Sequence, residues 1–255
     1  MLLDARNLTL RYETEESLVT AVEDVCFQVE KSDRLILLGP SGCGKSTILK
    51  AVGGFLRPAG GSILLNGKPV KRPWADRAFV FQEFDQLLPW KTALENVVFA
   101  IMETRRVKKA EALTEARLLL KKVRLDSFEN SYPHALSGGM KQRAAIARCL
   151  ALKAEIILMD EPFASLDALT RQRMQEELLA LWAETRFTLI FVTHSIDEAI
   201  TLGTRVILLS PHPGRVVTEI AVDWSKIDSR SNPEYAALKE KISFILFKDQ
   251  LDYTI

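Results

Sequence analysis

Gly39-Pro40-Ser41-Gly42-Cys43-Gly44-Lys45-Ser46 fits the pattern G-x-x-x-x-G-K-[ST]. Its flanks decide how it is read. Upstream, Arg34 to Leu38 is an apolar run of strand length, and downstream the apolar residues of Lys45 to Val52 suit a buried helix. Strand, glycine-rich loop and helix is the order in which this pattern cradles a polyphosphate. The glycines let the backbone wrap closely, so that consecutive N–H groups and the helix N-terminus face the anion while the lysine reaches the terminal phosphates. Binding is expected along Gly39, Pro40, Ser41, Gly42, Cys43, Gly44, Lys45, Ser46 and Thr47, with Ser46 as a ligand of phosphate-bound Mg²⁺. Cys43 fills a variable position, and its side chain reads as packing.

Toward the N-terminus, apolar and polar residues alternate in Leu3 to Tyr12 and again in Val19 to Val29, with the acidic stretch Glu13 to Glu16 between them. This predicts two antiparallel strands joined by a turn. Ser62 to Leu65 and Ala78 to Phe81 read as further strands, and Asn66-Gly67 as a turn. From about Thr92 to Leu152 the chain becomes helical; Lys108 to Val123 carries apolar residues at three- and four-residue spacing. Strands then alternate with helices: Glu155 to Met159, Ala168 to Thr185, Thr188 to Val192 and Arg205 to Leu209. The pattern predicts an α/β fold, a P-loop NTPase core with a mainly parallel sheet, an antiparallel N-terminal β-subdomain and an inserted helical subdomain. The expected division is a nucleotide-binding domain over 1–220, with 92–152 as the insertion, and a helical tail over 221–255.

Composition narrows the function classes. Over 255 residues, 34 Lys and Arg balance 33 Asp and Glu, leaving a net charge of +1 and none of the basic excess expected of a nucleic-acid binder. With 47% hydrophobic and 26% charged residues, the chain is ordinary globular material. No apolar run reaches the roughly 18 residues that span a bilayer, and the first residues lack an export signal, so a cytosolic protein is expected. Three widely spaced cysteines form neither a disulfide framework nor a metal-ligand pattern.

The apolar strand Ile156-Ile157-Leu158-Met159 ends in Asp160-Glu161-Pro162. A phosphate-bound Mg²⁺ needs a carboxylate, which Asp160 supplies. Adjacent strand residues face opposite ways, so Glu161 is free for a second task, polarising the attacking water. A solvated turn is the alternative reading of these three residues alone.

Leu136-Ser137-Gly138-Gly139-Met140, followed by Lys141-Gln142-Arg143, resembles the signature motif of ATP-binding cassette proteins. Ser137, Gly138 and Gly139 would open a helix and create a second anion site in the same chain. The resemblance extends over about residues 2 to 220. It implies that Tyr12 stacks on adenine, with strand-end packing as the alternative, and that Gln82 is the Q-loop residue joining the metal site to the helical subdomain. By the same likeness Ser165-Leu166-Asp167 is the D-loop and His194 the switch histidine beside the γ-phosphate. The implied catalytic set is Glu161, His194 and Gln82, with Mg²⁺ on Ser46, Gln82 and Asp160. Met140 stands where glutamine is usual and Ser195 where aspartate is common.

The resemblance also implies head-to-tail pairing with a second ATPase chain, identical or paralogous, in which the signature of one closes over ATP on the P-loop of the other. Asp76 to Gln82, Leu87-Leu88-Pro89-Trp90 and Ser210-Pro211-His212-Pro213-Gly214-Arg215-Val216 are similar to the ATPases of nitrate, sulfonate and taurine importers. That likeness implies transmembrane permease subunits as partners, a solute-binding protein acting through them, no nucleic acid, a small anionic solute, and a peripheral place on the cytoplasmic face of the plasma membrane. Leu87 to Trp90 would be an exposed docking loop, or else packing for the helical subdomain. A cassette ATPase outside transport, an importer ATPase for another solute class and a non-hydrolysing partner are the competing readings.

Overall fold

The computed structural model describes residues 1–13, 18–82, 86–225, 227 and 231–251. Of the acidic turn expected at Glu13 to Glu16, residues 14–16 lie outside them. The chain divides into two compact units, Met1–Pro73 with Thr188–Ile255, and Trp74–Phe187.

In the first unit, β1 (Leu3–Glu13) runs antiparallel to β2 (Leu18–Val29) on one side and to β4 (Gly60–Leu65) on the other. Val25, Phe27 and Val29 of β2 are buried while Asp24, Cys26 and Gln28 between them are exposed, the period-two pattern of a half-buried sheet. Asn66 and Gly67, both with positive φ, turn β4 into the two-residue strand β5 (Lys68–Pro69).

The same unit holds β3 (Arg34–Leu38), buried at every position. β8 (Thr188–Thr193) and β9 (Arg205–Leu209) flank it in parallel, and β10 (Val216–Ala221) closes onto β9 in the antiparallel sense. A strand buried on both faces has no polar side to alternate with, hence the continuous apolar runs. Leu38 lies opposite Thr193, so the chain leaves β3 and β8 at the same edge. Helix α1 (Lys45–Val52) packs against β8, β1 and β2, and α6 (Ile196–Leu202) against β3 and β8. The tail forms α7 (Pro233–Leu251), which packs on α6; Tyr235 and Lys239 both bond to the Asp197 carboxylate of α6, at 2.8 Å.

In the second unit β6 (Arg77–Val80) pairs in parallel with β7 (Ile156–Asp160), Val80 opposite Met159. The strand expected over Ala78 to Phe81 stops one residue early for a local reason. Phe81 donates its N–H to Gln86 Oε1 at 3.1 Å and accepts from Gln86 Nε2 at 3.2 Å, so its backbone is diverted from the sheet. Helices α2 (Ala93–Thr104), α3 (Lys109–Lys122) and α4 (Gly138–Ala151) pack on one another, and α4 also on β6. α2 starts where it does because Thr92 and Glu95 form a reciprocal capping box. Helix α5 (Ala168–Thr185) follows an Asp167 cap.

Among the described residues no helix is long and apolar enough to cross a membrane.

Candidate active site

The phosphate-binding loop follows β3. At the start of α1, Gly44 sits at φ 94°, and no side chain caps the helix. The first-turn N–H groups of a helix need partners from outside it, and here the sequence supplies no capping oxygen. Lys45 is 4% exposed; its ammonium donates to the carbonyls of Gly39 and Pro40, each at 2.8 Å. Cys43 is fully buried behind it, and burial raises its thiol pKa in spite of the neighbouring lysine charge, as expected for a packing cysteine. Ser46 and Thr47 are half-buried. A positively charged, glycine-lined loop with an uncapped helix start fits a polyphosphate.

His194 is exposed immediately after β8, and because β3 and β8 are parallel neighbours it emerges at the same edge as the loop. Its backbone is held on both sides. Thr193 donates its hydroxyl to the buried Glu198 carboxylate at 2.5 Å, the Ser195 N–H donates to Thr193 Oγ1 at 3.0 Å, and Ser195 Oγ caps α6 by accepting from Glu198 N–H at 3.3 Å. Serine and aspartate are equally good caps, which explains how Ser195 stands where aspartate is common. Tyr12, near the end of β1, is 45% exposed and faces Val19 across the strand pair.

In the second unit, Gln82 follows β6 and Asp160 and Glu161 end β7, so the parallel pairing brings all three to one edge. Asp160 is buried and Glu161 half-buried. Glu161 has φ 41°, left-handed backbone that costs a non-glycine residue roughly 1–2 kcal/mol. The following residues hold it there. Pro162 and Phe163 are buried, and the Arg171 guanidinium donates to the carbonyls of Phe163, Ala164 and Leu166 at 3.2, 3.3 and 2.9 Å. Strain of this kind concentrates where a side chain must be aimed.

Ser137 caps α4, accepting from Met140 N–H at 3.4 Å. Because Met140 contributes through its backbone, a side-chain change from glutamine leaves that cap intact. Asp167 caps α5, accepting from Thr170 N–H at 2.9 Å, and hydrogen bonds from Thr170 hold its carboxylate below the usual range.

Sequence reasoning missed the residues that tie the segment after Gln82 to the signature helix. Gln86 Nε2 reaches the buried Gln142 Oε1 at 3.4 Å, and Arg148 donates to the Gln86 carbonyl at 2.5 Å. Gln142 and Arg148 lie in the stretch that follows the signature, yet nothing in their spacing points to Gln86. Of the two readings of Leu87 to Trp90, Leu87 follows the packing one, being 4% exposed, while Pro89 and Trp90 are exposed and Leu88 is half-buried. The turn is fixed by the fully buried Asn96, which accepts from Leu88 N–H and donates to the carbonyls of Leu88, Lys91 and Thr92.

Among the described residues no group of three or more His, Cys, Asp or Glu could hold a metal alone. Of the residues expected to hold Mg²⁺, Asp160 and Gln82 lie at the ends of the paired strands β7 and β6, and Ser46 lies at the start of α1 in the first unit.

The family profile described as ABC transporter matches residues 22–164. The chain belongs to the ABC transporter family. It is an ABC ATPase on the P-loop NTPase fold, and its sequence is similar along nearly its whole length to family members. An uncharacterized ABC transporter ATP-binding protein of Methanocaldococcus jannaschii is 44% identical over 98% of this chain and 92% of its own. The taurine import ATP-binding protein TauB of Rhizobium johnstonii is 46% identical over 89% of each chain. Two solved dimeric structures of one and the same cassette each cover 87% of this chain and 99% of their own. One, a bacterial ABC transporter cassette, has a TM-score of 0.77 at 33% identity; the other, in a post-hydrolysis state bound to ADP and phosphate, has 0.76 at 32%.

Proposed function

We propose that this cassette is the ATP-hydrolysing subunit of an importer for a small anionic solute of the sulfonate class, taurine being the model compound. The observation that carries the reading is the edge shared by the phosphate-binding loop and His194, combined with a second helix N-terminus at Ser137. The taurine-import relatives support the choice of solute class.

In this reading Lys45 and the loop from Gly39 to Thr47 bind the phosphates, and Tyr12 offers its exposed ring to the adenine. Ser46, Asp160 and Gln82 would hold Mg²⁺, which supplies charge neutralisation of the phosphate oxygens when bound. Glu161 takes a proton from the attacking water as general base. His194 donates a hydrogen bond toward the terminal phosphate, from a backbone fixed by Thr193 and Ser195.

Ser137, Gly138 and Gly139 serve a second cassette, identical or paralogous, so that two ATP molecules hold the pair closed. Their preference for the closed pair is what makes ATP a switch. Motion passes through the segment after Gln82, tied to α4 by Gln86, to separate permease subunits at the cytoplasmic face of the plasma membrane, with a solute-binding protein beyond them.

The docking surface assigned to the permease is the loop before α2, together with that helix's outer face. Trp90 is 69% exposed, Phe99 40% and Met102 45%. Exposed aromatic and methionine side chains around a pinned loop have the composition of an interface. Trp90→Glu is expected to lower co-purification with the co-expressed permease about tenfold or more, the loss of one aromatic anchor, while ATP binding stays within about twofold. Undiminished co-purification would remove this surface from the account.

A further inference from the structure

The stretch Ser210-Pro211-His212-Pro213-Gly214-Arg215 has no part in the mechanism above, yet its backbone lies against the phosphate-binding loop. A Cβ built on Gly214 would come within 2.0 Å of the Cys43 carbonyl oxygen and 3.1 Å of the Cys43 carbonyl carbon. Gly214 lies outside the left-handed region, so glycine is required there for close approach and not for its backbone angles.

The approach is fixed from the other side by β2. Gly214 N–H donates to the Ala21 carbonyl and Glu23 N–H donates to the Gly214 carbonyl, both at 3.0 Å. Arg215 pairs with Glu23 at 2.6 Å. Ser210 closes the stretch on itself: its hydroxyl donates to the Pro211 carbonyl at 3.1 Å and accepts from Arg215 N–H at 3.0 Å. The same piece of β2 presses on the next residue of the loop, since a Cβ on Gly44 would meet Val22 Cγ2 at 2.4 Å and the Ala21 carbonyl at 2.8 Å. At the loop's start, a Cβ on Gly39 would meet the Leu209 carbonyl oxygen at 3.0 Å, just ahead of Ser210. The phosphate-binding loop is thus braced at Gly39, Cys43 and Gly44 by Leu209, Gly214 and the Ala21–Val22 segment.

We infer that the 210–215 segment is a brace that sets the shape of the phosphate-binding loop, with Gly214 as its positioning residue. It touches the backbone of Cys43 and acts on ATP only through it. The inference rests on the reading of Gly39 to Thr47 as the ATP site. Its core, the contact between Gly214 and Cys43, is measurable without nucleotide.

The test uses the full chain with Cys26, the exposed thiol, changed to serine, so that the buried Cys43 and Cys149 are the remaining thiols. In this parent both should react slowly with a thiol reagent such as dithiobisnitrobenzoate. Gly214→Ala adds one methyl against the Cys43 carbonyl and is expected to speed labelling of Cys43 about tenfold, leave Cys149 protected, and raise the KM for ATP about tenfold with kcat within about threefold. Ser210→Ala adds no atom but unties the stretch, and should move Cys43 labelling and KM in the same direction by about threefold. Cys43 as protected as in the parent with unchanged KM in both variants would overturn the inference, as would simultaneous exposure of Cys43 and Cys149, which signals general unfolding. A parent that binds no ATP would instead sink the assignment of the ATP site, with the Cys43 labelling still deciding the brace.

Discussion

Glu161→Gln is expected to bind ATP as tightly as the parent and to turn it over roughly 10²–10⁴ times more slowly, the range lost when a general base is removed. The substitution keeps the size and shape of the side chain. It therefore keeps the left-handed backbone at φ 41° and the arginine clamp on Phe163, Ala164 and Leu166 that supports it. What disappears is an oxygen able to take a proton from water. Equilibrium binding of ATP measured beside steady-state hydrolysis separates the two effects. Equal loss of binding and turnover would mean that Glu161 supports the site's structure, and an unchanged rate would assign the base elsewhere.

Lys45→Ala should act at the earlier step. The ammonium is buried and already donates to two carbonyls of its own loop, at Gly39 and Pro40, so it is positioned before any phosphate arrives. Hydrogen bonds to charged groups contribute about 1.5–3 kcal/mol each, so loss of one such interaction weakens ATP binding by about ten- to hundredfold. Titration calorimetry of the variant against ATP checks this, with a thermal melt to establish that the chain still folds. Retained affinity in a folded variant would contradict the place given to Lys45.

The strand, loop and helix around Gly39 to Ser46 were legible because each leaves a local imprint: a continuous apolar run, clustered glycines, then helical spacing. The cap at Ser137 was legible for the same reason, since it stands next to its own helix, whereas the cap at Asp167 was found only in the structure. Short elements left less trace. β5 is two residues long, and α6 spans seven residues between two buried strands. The supports of the site were not legible at all. Arg171 clamps the residues behind Glu161, Gln86 meets Gln142 across 56 positions, and Gly214 meets Cys43 across a still longer interval. Contacts between a side chain and a distant backbone impose no period on the sequence. The Pro-Gly-Arg stretch shows how such a support appears before the fold is known, as a motif with no chemistry of its own.

The central claim is that ATP closes two cassettes on each other, with Ser137 to Gly139 of one serving the phosphate-binding loop of the other. Sedimentation of purified Glu161→Gln with and without saturating ATP tests it directly. The account predicts a single-chain mass without nucleotide and twice that mass with ATP, the shift being abolished when Ser137→Arg is added to the same chain. One unchanged single-chain mass, with ATP demonstrably bound, would contradict it.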